Sequence, residues 1–70
     1  MQIAILGTGQ VGRQLASALV AQGYQVRLGS RTADNPTAAA WVAESGTNAS
    51  AGTFADAAAW GEVAFAALSG

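Results

Sequence analysis

The stretch Gln2-Ile3-Ala4-Ile5-Leu6-Gly7-Thr8-Gly9-Gln10-Val11-Gly12 decides how the rest of this chain is read. Residues 2–6 are nearly all apolar, the pattern of a short strand covered on both faces in a parallel sheet. The next six residues match G-x-G-x-x-G. That pattern is weak alone, but here it follows a strand directly and opens a helix, the context that gives it a mechanism. Gly7 permits the tight turn, Gly9 lets the backbone approach a pyrophosphate, and Gly12 allows helix and strand to pack closely. Free N–H groups near Gln10 and Val11, together with the helix dipole, then supply an anion site.

Outward from the turn, the period changes to that of a helix over Gln10 to Gln22. Val11, Leu15, Ala18 and Leu19 form one apolar stripe, and Gly23 closes the helix. Tyr24 to Leu28 reads as a second strand, with Gly29 to Thr32 as its exit loop. Asn35-Pro36 marks a turn, and Pro36 suits the first position of a helix running to about Ser45. Thr47 to Thr53 is a weak third strand, Phe54 to Trp60 a short alanine-rich helix, and Glu62 to Leu68 a fourth strand. The order is β-α-β-α-β-α-β, with connections too long for hairpins, so the strands pair in parallel through right-handed crossovers. The expected architecture is α/β: a Rossmann-type parallel sheet of strand order 3-2-1-4. That order leaves the fourth strand on an edge. Yet Val63 to Leu68 is apolar and carries no lysine, proline or bulge to protect an edge. Residues 1–70 are therefore expected to be the N-terminal part of a longer dinucleotide-binding domain.

Composition narrows the function classes. A chain of 70 residues hides only about 60% of the surface its unfolded form exposes. Apolar residues make up 51% of it, which argues for a packed core, though a thin one because so many are alanine. The absence of cysteine and histidine removes disulfides, thiolate chemistry and the usual neutral-pH general base. A formal net charge of -1 gives no electrostatic case for nucleic acid or an anionic membrane. No apolar run approaches the roughly 20 residues of a membrane span, and no basic segment precedes the first strand as a signal peptide would require. A cytoplasmic domain is the expectation.

The end of the second strand chooses between the two dinucleotides. NAD-specific domains place a carboxylate about 20 residues beyond the glycines, where it binds the ribose hydroxyls. The corresponding stretch here is Leu28-Gly29-Ser30-Arg31-Thr32, which holds no acid, and Asp34 lies further out. A 2′-phosphate would meet a forked guanidinium from Arg31 and single hydrogen bonds from Ser30 and Thr32. The expected cofactor is NADP(H). Arg27, inside the strand, is expected to face outward or lie at an edge, and Arg13 to approach phosphate or solvent. Trp41 and Trp60 read as packing anchors. Glu44, Asp56 and Glu62 form no pair whose spacing defends a catalytic role, so neither a catalytic residue nor a metal site is expected.

Residues 1–12, Leu28 to Arg31 and Phe54-Ala55-Asp56-Ala57-Ala58, followed by the strand from Val63, together resemble one family. They look like the N-terminal domain of the deazaflavin (coenzyme F-420)-dependent NADP oxidoreductases. The resemblance covers essentially the whole chain but only the first part of such a protein. It implies hydride exchange between NADP(H) and a deazaflavin, and leaves room for a homodimer of the full-length protein. By the same resemblance Thr8, Gln10 and Val11 line the pyrophosphate and adjoining ribose, and Ser30, Arg31 and Thr32 hold the 2′-phosphate. Ser69 and Gly70 stand where the fourth strand opens toward the nicotinamide, and the proline that family members commonly carry there is missing. The cofactor domains of β-hydroxyacid dehydrogenases, imine reductases and pyrroline-carboxylate reductases carry similar glycine turns. The β-hydroxyacid group usually has leucine and methionine at the positions of Thr8 and Val11, and asparagine at that of Ser30. A non-catalytic NADP(H)-binding or redox-sensing module is the remaining alternative.

Overall fold

In the structure, a computed structural model that describes residues 1–67, strands and helices alternate along the described residues. The elements are β1 (Gln2–Leu6), α1 (Gln10–Ala21), β2 (Gln25–Ser30), α2 (Pro36–Ser45), β3 (Ala49–Thr53), α3 (Phe54–Trp60) and β4 (Val63–Ala66). All pairings are parallel, and the sheet runs β3-β2-β1-β4. This is the Rossmann-type order expected from the sequence. Leu68 and Ser69 lie outside the described residues.

Alternation along β1 and β2 sorts the side chains between two helical layers. Ile3, Ile5, Val26 and Leu28 turn to one face and share a core with Ala16 of α1 and with Ala38 and Trp41 of α2. The opposite face receives α3, where buried Ala57 packs so close to Gly29 that a Cβ on Gly29 would stand 3.0 Å from it. Trp41 is the anchor its sequence context suggested. It is buried, and its indole N–H donates to Ser17 Oγ at 2.9 Å, so the polar atom goes under with a partner.

Three expectations are corrected by packing. The buried face of α1 is not the stripe of bulky residues: Gly12 and Ala16 are buried, whereas Val11 and Leu15 are 60% and 38% exposed. Small residues let the helix lie close to the sheet, and Leu19 packs against the core only from its margin. Second, β2 extends through Gly29 and Ser30, which pair with Gly52 and Thr53 of β3. A strand flanked on both sides keeps its ladder going through small residues that propensity alone would end on. Third, Arg27 is not a free outward-facing side chain. Half-buried, it donates from Nε to Ser50 Oγ at 3.0 Å, and its guanidinium lies 4.6 Å from the Trp60 ring centroid. Trp60 is thus a cation–π platform for Arg27.

β4 pairs with β1, and all four of its residues are exposed. Val63 and Phe65 sit in register with Ile3 and Ile5, so they extend the apolar face beyond the part that α1 covers.

The helix starts follow from local chemistry. Pro36 takes the first position of α2, where its missing N–H costs no hydrogen bond. Asn35 caps that helix, its Oδ1 accepting from the Ala38 N–H at 3.1 Å, and Thr53 caps α3 through Asp56 N–H at 3.1 Å. Asn35→Ala is expected to lower stability by about 1 kcal/mol, a large share of the roughly 5 kcal/mol that so small a domain holds. Asn35→Ser should recover most of the loss. Denaturant midpoints of the three proteins measure the effect, and an unchanged midpoint for the alanine variant would refute it.

Candidate functional site

β1 ends at Leu6, and the next residue carries the turn. Gly7 has φ 137, a region side-chain-bearing residues rarely enter. Its N–H nevertheless donates to the Gly29 carbonyl at 2.9 Å, continuing the β1–β2 ladder one residue beyond the strand. Gly12 lies on the helix directly behind. A Cβ there would stand 3.0 Å from the Gly7 carbonyl oxygen and 3.3 Å from the Ala67 Cβ. Close approach of helix to turn thus requires glycine at this position. Gly9 is the N-cap of α1 in ordinary extended geometry, and no side chain caps the helix. Its first N–H groups are left facing outward, the arrangement that favours an anion.

Beside this turn is a cleft of about 270 Å³. Its wall includes Gly7, Arg31, Phe54 and Ala67, each the first residue after one of the four strands. The site therefore forms at the carboxyl ends of a parallel sheet, where ligands of open α/β folds bind. Thr8, Gly9, Ser30 and Asn35 complete it.

Of the residues singled out in the sequence, Gly7, Thr8, Gly9, Ser30 and Arg31 meet at this cleft. Gly12 supports it from behind. Gln10 faces a separate, larger groove between α1 and α2, of about 840 Å³, together with Arg13, Trp41 and Glu44. Val11 points to solvent. Thr32 is exposed and does not line the cleft, but its carbonyl accepts from the hydroxyl of Ser30. That bond spends the one proton of Ser30, a residue only 3% exposed. In this arrangement Ser30 sets the loop, and donating to a phosphate would require its hydroxyl to rotate. Arg31 is exposed at the rim, and among the described residues no carboxylate lines the cleft. Ser69 falls outside the described residues.

Asn35, Phe54 and Ala67 were not expected. Asn35 was legible as a turn residue, and its cap leaves the amide nitrogen unspent by that bond. For Phe54 and Ala67 the signal is positional: each follows a strand, and the parallel order brings strand ends together. Among the described residues, no three His, Cys, Asp or Glu side chains gather to hold a metal. No helix there is long and apolar enough to cross a membrane.

A parallel 3-2-1-4 sheet, a glycine turn at the first strand and an uncapped helix behind it define a domain of the Rossmann class. A sequence model of the family described as "NADP oxidoreductase coenzyme F420-dependent" matches residues 2–69, and the chain belongs to this family. A crystal structure from Arthrobacter sp. FB24, provisionally described as an F420-dependent NADP reductase, is similar at 37% identity and a TM-score of 0.79. The similarity covers 94% of this chain and 32% of that one, so the chain spans about a third of its neighbour's length. No curated protein matches it closely enough to count as a relative.

Proposed function

We propose that this chain is the NADP(H)-holding, N-terminal part of an oxidoreductase that moves a hydride between NADP(H) and deazaflavin coenzyme F-420. The observation that carries the reading is the pairing, in one cleft, of an uncapped glycine turn with an acid-free, arginine-bearing end of β2. Family membership and the similarity to the Arthrobacter protein support it.

The residues present fit such a cofactor. The turn at Gly7 to Gly9 offers backbone N–H groups and the positive end of the α1 dipole to the pyrophosphate, at no desolvation cost to a side chain. Arg31 reaches the 2′-phosphate as a planar fork, and the lack of a carboxylate nearby removes the repulsion such a phosphate would meet in an NAD-specific site. Phe54 gives the cleft an aromatic wall for the adenosine half. When bound, the nicotinamide and the deazaflavin supply the hydride chemistry, so the absence of histidine and cysteine is no obstacle. What the chain contributes is orientation and charge complementarity.

Side-by-side titrations with NADPH and NADH at low salt test the first part. NADPH is expected to bind at least tenfold more tightly, with amide shifts at Gly7, Gly9 and Arg31. Equal affinity for the two would remove the assignment of the 2′-phosphate to Arg31. The second part is tested on the full-length protein by following NADPH oxidation against added deazaflavin. Binding without turnover against either a deazaflavin or a flavin would favour a non-catalytic, nucleotide-sensing module.

A further inference from the structure

Arg13 serves the turn from the far side. It sits on α1 one turn after Gly9, half-buried, and grips two consecutive carbonyls. Its side-chain Nε donates to the Thr8 carbonyl at 3.1 Å, and its own backbone N–H donates to the Gly9 carbonyl at 3.0 Å. The Thr8–Gly9 peptide is trans, since the described chain has no cis bond. In a planar trans peptide the C=O and the following N–H point in opposite directions. Once the Thr8 oxygen is held toward Arg13, on the side of the groove between α1 and α2, the Gly9 N–H must point away from it. Thr8 and Gly9 both line the cleft at the strand ends, and among the described residues the Gly9 N–H has no protein acceptor.

We infer that Arg13 is a positioning residue for the phosphate-binding turn, orienting the Thr8–Gly9 peptide so that the Gly9 N–H is presented to the pyrophosphate. It acts through the Nε hydrogen bond and not through its charge. The ligand in this inference rests on the function proposed above, whereas the latch itself is a property of the free protein. A loop without it would have to fix that peptide at the moment of binding, and ordering costs affinity.

Two substitutions separate hydrogen bond from charge. In Arg13→Gln the amide Nε2 occupies the position of the arginine Nε, so the donor is kept and the charge removed. Arg13→Leu keeps bulk and loses both. Arg13→Leu is expected to weaken NADPH and NADH alike, by about three- to tenfold, the worth of one hydrogen bond. Arg13→Gln should stay within about twofold of the parent for both. The equal loss is distinctive, because a contact with the 2′-phosphate would penalise NADPH alone. Without nucleotide, the Gly9 amide resonance of labelled protein should move in Arg13→Leu and stay in place in Arg13→Gln. A glutamine variant as weak as the leucine one would show that charge matters and overturn the inference. An unmoved Gly9 resonance in Arg13→Leu would overturn the latch whatever the nucleotides do. Parent protein that binds neither nucleotide would defeat the proposed function and the ligand named here, while the resonance still decides the latch.

Discussion

Replacing Arg31 by alanine is expected to weaken NADPH binding roughly ten- to hundredfold while leaving NADH nearly unchanged. The size follows from the chemistry at the rim of the cleft. A hydrogen bond to a charged partner contributes about 1.5–3 kcal/mol, and every 1.4 kcal/mol is a factor of ten. Ser30 cannot compensate in the observed arrangement, because its proton already goes to the Thr32 carbonyl. With no acid among the described residues that line the cleft, the variant would lose discrimination without gaining a preference for NADH. Arg31→Lys should recover part of the charge but not the fork, and so fall between the two. Calorimetric titration of both nucleotides against parent and variants measures this. A loss of the same size for NADPH and NADH would move Arg31 from the 2′-phosphate to a part common to both cofactors.

Gly12→Val is expected to abolish measurable binding of both nucleotides and to destabilise the domain by about 1–3 kcal/mol. A Cβ at this position already stands 3.0 Å from the Gly7 carbonyl oxygen. That oxygen is backbone, in a residue whose own N–H is tied to the Gly29 carbonyl, so it cannot step aside as the end of a flexible side chain would. Two further methyl groups would push α1 away from the strand ends and carry the Gly9 N–H out of line. Gly12→Ala should show the same effects at smaller size. Thermal melts separate loss of fold from loss of site when binding is measured well below the variant's midpoint. A valine variant that melts and binds like the parent would mean that helix and turn do not approach as closely as described.

Much of the fold was legible because its signals are local. Gly7-Thr8-Gly9-Gln10-Val11-Gly12 between a strand and a helix, Pro36 after Asn35, and Gly23 at positive φ after its helix are each read from a few neighbouring residues. The glycine turn after the first strand pointed to the Rossmann-type sheet order, and β3-β2-β1-β4 is observed. Where the reading went astray, the deciding term was packing. The apolar period of α1 pointed to Val11 and Leu15, but the sheet takes Gly12 and Ala16, since van der Waals contact rewards the side chains that permit the closest approach. Gly29 and Ser30 looked like a loop, yet they are strand because Gly29 pairs with Leu6 on one side and Gly52 on the other, and Ser30 pairs with Thr53.

The candidate site divides in the same way. Sequence alone determined the glycine turn, the acid-free end of the second strand and the arginine beside it, because each is a matter of residue type at a set distance along the chain. Only the tertiary structure decided that Asn35, Phe54 and Ala67 share the cleft, that Ser30 has spent its proton on Thr32, and that Arg13 holds the Thr8 carbonyl. The physical reason is that a parallel sheet gathers the ends of strands far apart in the chain. Which side chain then meets which backbone group depends on distances of a few tenths of an ångström between elements, and no periodicity in one of them encodes that.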